Sequence, residues 1–352
     1  MTPGCWRSAR PGTARRNGHS SARLWQAATF RARPAQGKGG IMRVLVIGSG
    51  SIGRRHHDNL QTLGAASRLV SWRAAGLDGA VAEMDQTDAV VIATATDIRL
   101  PLIEAAAARG LPIYVEKPLA FRPAEVEAIA AVAAPVADRS MLGLMLRYHP
   151  AVRALAAADL SDVFQFALTI GHDVTQWREN WRFSESYAAR ADGGGVLLDL
   201  CHELDLAVCL FPGLQVTRVE SIGQPDFPGV DFASRISLQN QGCVGDVSMD
   251  YLTPRLHRRT ILRGHERMHD FDFATQTYQV VESEGPRQLD LPLERNAMFL
   301  DAMRDFLALA GGLPTSGNPL IPRLDLCLPS ARLVASAWAA REFVGVITKE
   351  IP

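Results

Sequence analysis

Val44-Leu45-Val46-Ile47-Gly48-Ser49-Gly50-Ser51-Ile52-Gly53 is the stretch on which the fold turns. Four consecutive apolar residues suit a parallel strand buried on both faces. They run directly into Gly-x-Gly-x-x-Gly and then into a helical stretch through Leu60 and Leu63. In that strand-to-helix setting the motif is informative. Gly48 allows the tight turn, Gly50 lets backbone approach a diphosphate, and Gly53 lets helix and strand pack closely, with Ser51 and Ile52 at the anion-binding helix N-terminus. The alternative is a turn that merely happens to be glycine-rich.

Outward from this point the pattern alternates. Strands are expected at about Arg68–Trp72, Ala89–Ala93, Ile113–Val115 and Ser140–Met145, with helices at about Ile98–Arg109 and Pro123–Ala134 between them. Alternation of this kind predicts a doubly wound parallel sheet of α/β Rossmann type. After Pro150 the texture becomes α+β. A strand at about Phe164–Ile170 precedes one buried helix from about Gly195 to Leu210, six short strand-like runs between Val216 and Val281 follow, and helices at about Asn296–Leu309 and Ser330–Phe343 close the sequence. The expected division is a leader over 1–41, a dinucleotide domain over 42–147 and a substrate or oligomerisation domain over 148–352.

Composition narrows the function classes. Of 352 residues, 37 are Lys or Arg and 37 are Asp or Glu. The first forty residues hold seven Arg and Lys38 with no acid, so the remainder is mildly acidic and offers no bulk positive charge for nucleic acid. That leader has no hydrophobic period and reads as an over-long gene start, a disordered arm or a targeting segment. No apolar run has the roughly 20 residues of a membrane span. Five scattered cysteines without a Cys-x-x-Cys suit a reducing compartment, so a cytoplasmic protein is expected.

The second strand ends in Ser71-Trp72-Arg73, with no acid to take ribose hydroxyls. An Arg there suits a 2′-phosphate, so Ser71 and Arg73 incline the reading towards NADP over NAD. Only residues 74–88 separate this strand from the next, which abbreviates the adenine wall.

Lys occurs three times, at Lys38, Lys117 and Lys349, while Arg occurs 34 times. A position needing only positive charge would mostly be Arg in this composition. Lys117 follows a central strand in Glu116-Lys117-Pro118, where doubly wound sheets place their ligands, and burial can lower an ammonium pKa enough for proton transfer. A surface loop lysine is the alternative. Further on, Gly193-Gly194-Gly195 opens an apolar helix carrying Asp199, His202, Glu203 and Asp205. Asp199 and His202 share a face three residues apart, which suits either a proton relay or a structural hydrogen bond.

Gly48 to Gly53, Thr94-Ala95-Thr96, Glu116-Lys117-Pro118, Arg147-Tyr148-His149-Pro150 and the Tyr187–Asp205 segment together resemble the glucose-fructose oxidoreductase and inositol dehydrogenase family, Gfo/Idh/MocA. The likeness runs from about residue 42 onward. It implies a Rossmann domain, an open and mostly antiparallel sheet in a substrate domain, and NAD(P)-dependent oxidation or reduction of a hydroxyl on a sugar, cyclitol or sugar derivative. It assigns Lys117 and His202 to substrate and proton, with Asp199 assisting. Thr94, Thr96 and Glu116 join the cofactor set, and Arg147 and Tyr148 the substrate set. Met145 stands where relatives often carry Asn, Arg99 where they often carry His, and Asp199 is three rather than four residues from His202.

Trp177, Tyr187 and Arg190, in an Arg- and aromatic-rich segment, suit stacking on a sugar ring or pairing with an anion. Structural packing is the alternative, and the segment also resembles a branch associated with surface-polysaccharide sugars. The resemblance implies a homo-oligomer, dimer or tetramer. No metal site is expected: His265-Glu266-Arg267-Met268-His269 matches a zinc-protease pattern but precedes an alternating stretch and reads as a hairpin connection. Two rivals remain, a non-enzymatic dinucleotide- or sugar-binding regulator and a lyase or epimerase that recycles tightly bound NAD.

Overall fold

The computed structural model describes residues 40–177 and 182–351. Most of the leader expected over 1–41, and Arg178 to Trp181 of the aromatic-rich segment, lie outside the described residues.

The apolar run becomes β1 (Arg43–Ile47), followed by α1 (Ser51–Thr62), β2 (Ala66–Val70), α2 (Trp72–Met84), β3 (Ala89–Ile92), α3 (Arg99–Ala108), β4 (Ile113–Val115), α4 (Pro123–Ala133) and β5 (Met141–Leu142). The five strands are parallel in the order β2-β1-β3-β4-β5. The short 74–88 interval holds α2 alone, so β2 is the sheet edge beside β1. The last strand is shorter than expected, because after Leu142 the chain turns through a 3-10 segment at Met145–Tyr148.

The second part comprises α5 (Pro150–Ala157), β6 (Val163–Gly171), α6 (Val196–Asp199), α7 (His202–Leu210), β7 (Gln215–Gln224), β8 (Phe227–Gln239), β9 (Val244–Asp250), β10 (His257–Gly264), β11 (Met268–Asp272), β12 (Thr277–Glu282), β13 (Gly285–Leu289), α8 (Arg295–Ala310), α9 (Leu328–Ala339) and β14 (Arg341–Val346). Its nine strands form one sheet, β13-β12-β11-β10-β6-β9-β8-β7-β14. Pairing is antiparallel except at β6–β9 and β7–β14.

Two expected helices differ. The 195–210 helix is broken at Leu200 and Cys201, and the closing helix stops at Ala339. Beyond it the β-prone Phe343-Val344-Gly345-Val346 extends along β7, where sheet pairing outweighs continuation of the Ala-rich helix. Of the zinc-protease-like stretch, His265 to Arg267 form the expected connection from β10 to β11, while Met268 and His269 already belong to β11. His265 stacks on Phe164 while His269 is buried within the sheet, so the two rings are not on one helical face.

The later helices return to the first sheet. Met298, Ala302, Met303 and Phe306 of α8 share a core with Val44, Val46, Val91 and Tyr114, while Ala331 and Ala335 of α9 join the core of Ile47, Ile92 and Val115. Leu333 and Val334 on the same helix α9 pack instead into the core of the second sheet. This helix is therefore a shared wall that fixes one sheet against the other.

Candidate active site

At the end of β1 the three glycines have different surroundings. Gly48 has φ +113°, and a Cβ there would lie 2.3 Å from the Ala93 carbonyl oxygen; a Cβ on Gly53 would lie 1.8 Å from the Gly48 carbonyl oxygen. Both are closed by the protein's own backbone. A Cβ on Gly50 would meet nothing within 4 Å, and the first turn of α1 has no side-chain cap. The leading N–H groups of α1 therefore face open space in front of Gly50, Ser51 and Ile52, a cradle that fits a diphosphate. At the β2 end, Ser71 precedes α2 and Arg73 is exposed in its first turn and forms no ion pair among the described residues, which fits a phosphorylated or free ribose edge.

Further along the same sheet edge, Arg99 is buried. Its guanidinium donates to the Thr94 carbonyl from Nε and Nη2 (3.2 and 2.8 Å) and, through Nη1, to the carbonyls of Glu116 and Pro118. It staples the Thr94–Thr96 loop to the Glu116–Pro118 loop, which explains an Arg at this point in physical terms. Desolvation brings its pKa down to about 10. Glu116 is held by His56 of α1, with Nε2 2.6 Å from Oε1, and by the Lys117 amide at 3.2 Å. Burial alone would raise the Glu116 pKa, but the His56 bond and the charges of His56, Lys117 and Arg99 leave it below the usual carboxylate value.

Lys117 reaches out of the first sheet to α6. Its Nζ donates to the Asp199 carbonyl oxygen and lies 3.6 Å from Asp199 Oδ1. The break after Asp199 frees that carbonyl from helical bonding, so the departure from a continuous helix is what creates the contact. Asp199 also accepts from the hydroxyls of Tyr187 and Tyr251, the latter at 3.0 Å. Burial acts to lower the Lys117 pKa, as expected, yet Asp199, Cys201 and Glu116 more than offset it and the net direction is upward. Lys117 is an ammonium donor here, not the depressed-pKa base that burial alone suggested.

His202 is the complementary group. It opens α7, is buried, and its Nδ1 has no hydrogen-bond partner. Burial first, then the charges of Lys117 and Arg258, push its pKa well below 6.5. A neutral imidazole thus sits beside a charged ammonium, a separation of roles suited to proton transfer. Asp199 and His202 are not bonded to each other; Asp199 serves Lys117 instead.

The last glycine before α6 is shaped around Asp231 on β8. Gly195 has φ +94°, and a Cβ there would lie 2.0 Å from Asp231 Oδ1. The Asp231 carboxylate accepts from the Leu197 amide at 3.0 Å, from Ser234 at 2.8 Å and from Arg341 at the start of β14. It caps α6 from a distant strand, a role that no local pattern in the sequence marks.

The expected substrate residues divide. Tyr187 and Trp177 lie on the Asp199 side: Tyr187 bonds Asp199, and Trp177 packs edge-on against Tyr251 with ring centroids 5.4 Å apart. Arg190 is exposed, 3.4 Å from Asp97. Arg147 and Tyr148 sit elsewhere. Arg147 forms a fork with Asp205 of α7, Nη2–Oδ1 2.6 Å and Nε–Oδ2 3.0 Å, and adds Ser330 of α9 at 3.2 Å. Tyr148 donates to Asp305 of α8 at 2.9 Å. These two tie the end of the first sheet to the helices that follow. Cys201, Cys243 and Cys327 are buried free thiols, and burial pushes those of Cys201 and Cys327 up to about 12, in line with inert roles.

A glycine cradle at one end of a parallel sheet, with a Lys and a neutral His at the junction with a second sheet, defines a two-part dinucleotide-dependent oxidoreductase. The family model GFO_IDH_MocA, described as an oxidoreductase family with NAD-binding Rossmann fold, matches residues 73–143. Over that stretch the chain resembles this family, and its cofactor is a nicotinamide dinucleotide. It is 24% identical over 281 residues to the UDP-N-acetylglucosamine 3-dehydrogenase of Acidithiobacillus ferrooxidans, covering 76% of this chain and 85% of that one. The solved structure of that dehydrogenase superposes with a TM-score of 0.67 at 21% identity, over 86% of this chain and 96% of the other. KijD10, a 3-ketoreductase from Actinomadura kijaniata solved with NADP and TDP-benzene, gives 0.69 at 20% identity, over 87% and 99%. A levoglucosan dehydrogenase in complex with NADH gives 0.67 at 19% identity, over 85% and 96%. Among the described residues no helix is long and apolar enough to cross a membrane.

Proposed function

We propose that this chain oxidises or reduces a secondary hydroxyl on a sugar or sugar derivative, with Lys117 and His202 as catalytic residues and Asp199 positioning Lys117. The observation that carries the reading is the contact between Lys117 at the end of β4 and Asp199 before α7, beside the neutral His202. The dinucleotide would supply the hydride acceptor or donor at its nicotinamide ring. In the oxidative direction the Lys117 ammonium donates a hydrogen bond to the substrate oxygen and stabilises the charge that develops there, while the His202 ring accepts the hydroxyl proton. Asp199 holds the ammonium in place through its carbonyl and carboxylate, and Tyr187 and Tyr251 hold Asp199.

Arg73 and Ser71 support NADP as the better cofactor. A relative named for UDP-N-acetylglucosamine and a 3-ketoreductase solved with TDP-benzene support a nucleotide sugar as substrate. The exposed Phe343, Val344 and Val346 on edge strand β14 support a homo-oligomer, and the reduced cysteines a cytoplasmic location.

The test pairs NAD and NADP with sugars, cyclitols and nucleotide sugars, first by thermal shift and then by absorbance of the reduced nicotinamide. Turnover with one substrate class and its loss in Lys117→Ala are expected; near-full turnover in that variant overturns the mechanism. Cofactor binding without turnover on any member of the panel points to a regulator. Cofactor that survives gel filtration without net reduction points to an epimerase or lyase.

A further inference from the structure

The outer side of α1 carries a feature that the proposed reaction leaves unused. Between α1 and the start of α8 lies an open groove of about 630 Å³, lined by Ser51, Arg54, Arg55, Asp58, Asn59 and Asn296. Its arginines make no direct ion pair, although Asp58 shares the lining. Among the described residues no carboxylate forms an ion pair with Arg54, Arg55 or Arg295, although most of the described arginines are paired in this way. Arg55 lies over the Phe299 ring at 4.6 Å, which holds its guanidinium against α8. Burial lowers the Arg55 pKa and the nearby charge of Arg295 lowers it further, with the Glu116 charge opposing them, so two like charges face one another across the helices.

A second observation is independent of the arginines. Asn59 is buried and lines the groove, and its Oδ1 accepts from Asn296 Nδ2 at 3.1 Å, which leaves its own Nδ2 buried without a partner. An unmatched buried donor costs about 1–3 kcal/mol unless something accepts from it. Guanidiniums with no ion-pair partner and an amide donor with no acceptor call for the same thing, an oxygen-bearing anion. The helix termini do not supply it: α8 is already capped by Glu294, which accepts from the Asn296 and Ala297 amides.

We propose that this groove, which adjoins the dinucleotide cradle at Ser51, is a second anion site that takes the phosphoryl group of a small phosphorylated ligand. Arg55 and Arg295 clamp the phosphoryl oxygens, Asn59 Nδ2 donates to one of them, and Asp58 on the rim accepts from a hydroxyl of the ligand. The site has a direct route to the chemistry through α1, because His56, next to Arg55, holds the Glu116 carboxylate that precedes Lys117.

The test uses inorganic pyrophosphate as probe, titrated by calorimetry into the full chain at fixed ionic strength, with and without saturating NADPH. Saturable binding that persists with NADPH is expected, weakened at least tenfold in the Arg55→Gln/Arg295→Gln variant and also in Arg295→Gln alone. Arg295 is exposed, so its replacement leaves folding intact, and NADPH affinity in the same variants serves as the check. Abolition of pyrophosphate binding by NADPH assigns the groove to the cofactor cradle and overturns the proposal. So does an affinity unchanged within twofold in the variants, or the absence of saturable binding. None of these results depends on turnover, so the proposed activity and this site stand or fall separately.

Discussion

Asp205→Ala removes the carboxylate that Arg147 grips, and the structure sets the size of the loss. Both side chains are almost fully enclosed, 8% and 2% exposed, and the fork has contacts of 2.6 and 3.0 Å. Without Asp205 the guanidinium keeps only Ser330 Oγ at 3.2 Å and the Leu320 carbonyl at 3.5 Å, two neutral partners for a buried charge. Exposed pairs are worth about 0–1 kcal/mol, but unpairing a buried charge costs about 3–5 kcal/mol. The buried case applies, so chemical denaturation should show a loss of about 3–5 kcal/mol, and a melting temperature lower by on the order of 10 °C. The companion variant Arg147→Met/Asp205→Leu removes both charges and keeps apolar volume. It should recover most of the loss, because the cost lies in the unpaired charge rather than in the absent bond. A loss below about 1 kcal/mol for Asp205→Ala, or a double variant as unstable as the single one, refutes the description of a desolvated pair.

Gly50→Ala should fold with a near-native melting temperature, since its Cβ meets nothing in the free protein, yet lose dinucleotide affinity at least tenfold by fluorescence titration, on the order of 1.4 kcal/mol. Gly53→Ala, whose Cβ would lie 1.8 Å from a carbonyl oxygen, should instead lower the melting temperature itself. Burial and the charge of Arg258 bring the His149 pKa down to about 4, so the unfolded chain binds a proton below pH 6.5 that the folded chain refuses until about 4. The stability this group contributes is complete above pH 6.5 and falls with acidification at up to ~1.4 kcal/mol per pH unit. His149→Asn, which can still cap α5, should flatten the melting-temperature profile between pH 6.5 and 5. Arg73→Ser should raise the Michaelis constant for NADP several-fold while leaving that for NAD within twofold; an equal effect on both would remove Arg73 from the 2′-phosphate reading.

The parts legible in the sequence were those whose cause is local. Gly48 and Gly53 are dictated by backbone approaches within one strand-turn-helix unit, and Glu116-Lys117-Pro118 follows a strand that its apolar run already marks. The six strand-like runs between Val216 and Val281 all appear as strands because their period-two patterning faces a core. β13 escaped notice because Gly285-Pro286-Arg287-Gln288-Leu289 has neither apolar alternation nor β-prone residues and is a strand only by pairing with β12. At the site, the roles of His56, Arg99 and Asp231 were invisible for a related reason. Each acts on a partner 17 to 60 residues away, and nothing about an isolated His, Arg or Asp states where its partner will be. Arg147 shows the opposite failure. Its type and its place in the motif suit an anion, and the anion it meets is the chain's own Asp205.

The capping of α6 by Asp231 has a consequence for the order in which the site can be made. Asp231 is held by Arg341, which comes at the entry to β14, and the glycine turn before Asp199 is shaped around that same carboxylate. A ribosome that has released Lys117, Asp199 and His202 has therefore not yet produced a working constellation. The chemistry waits for Arg341, which the chain delivers only after all three.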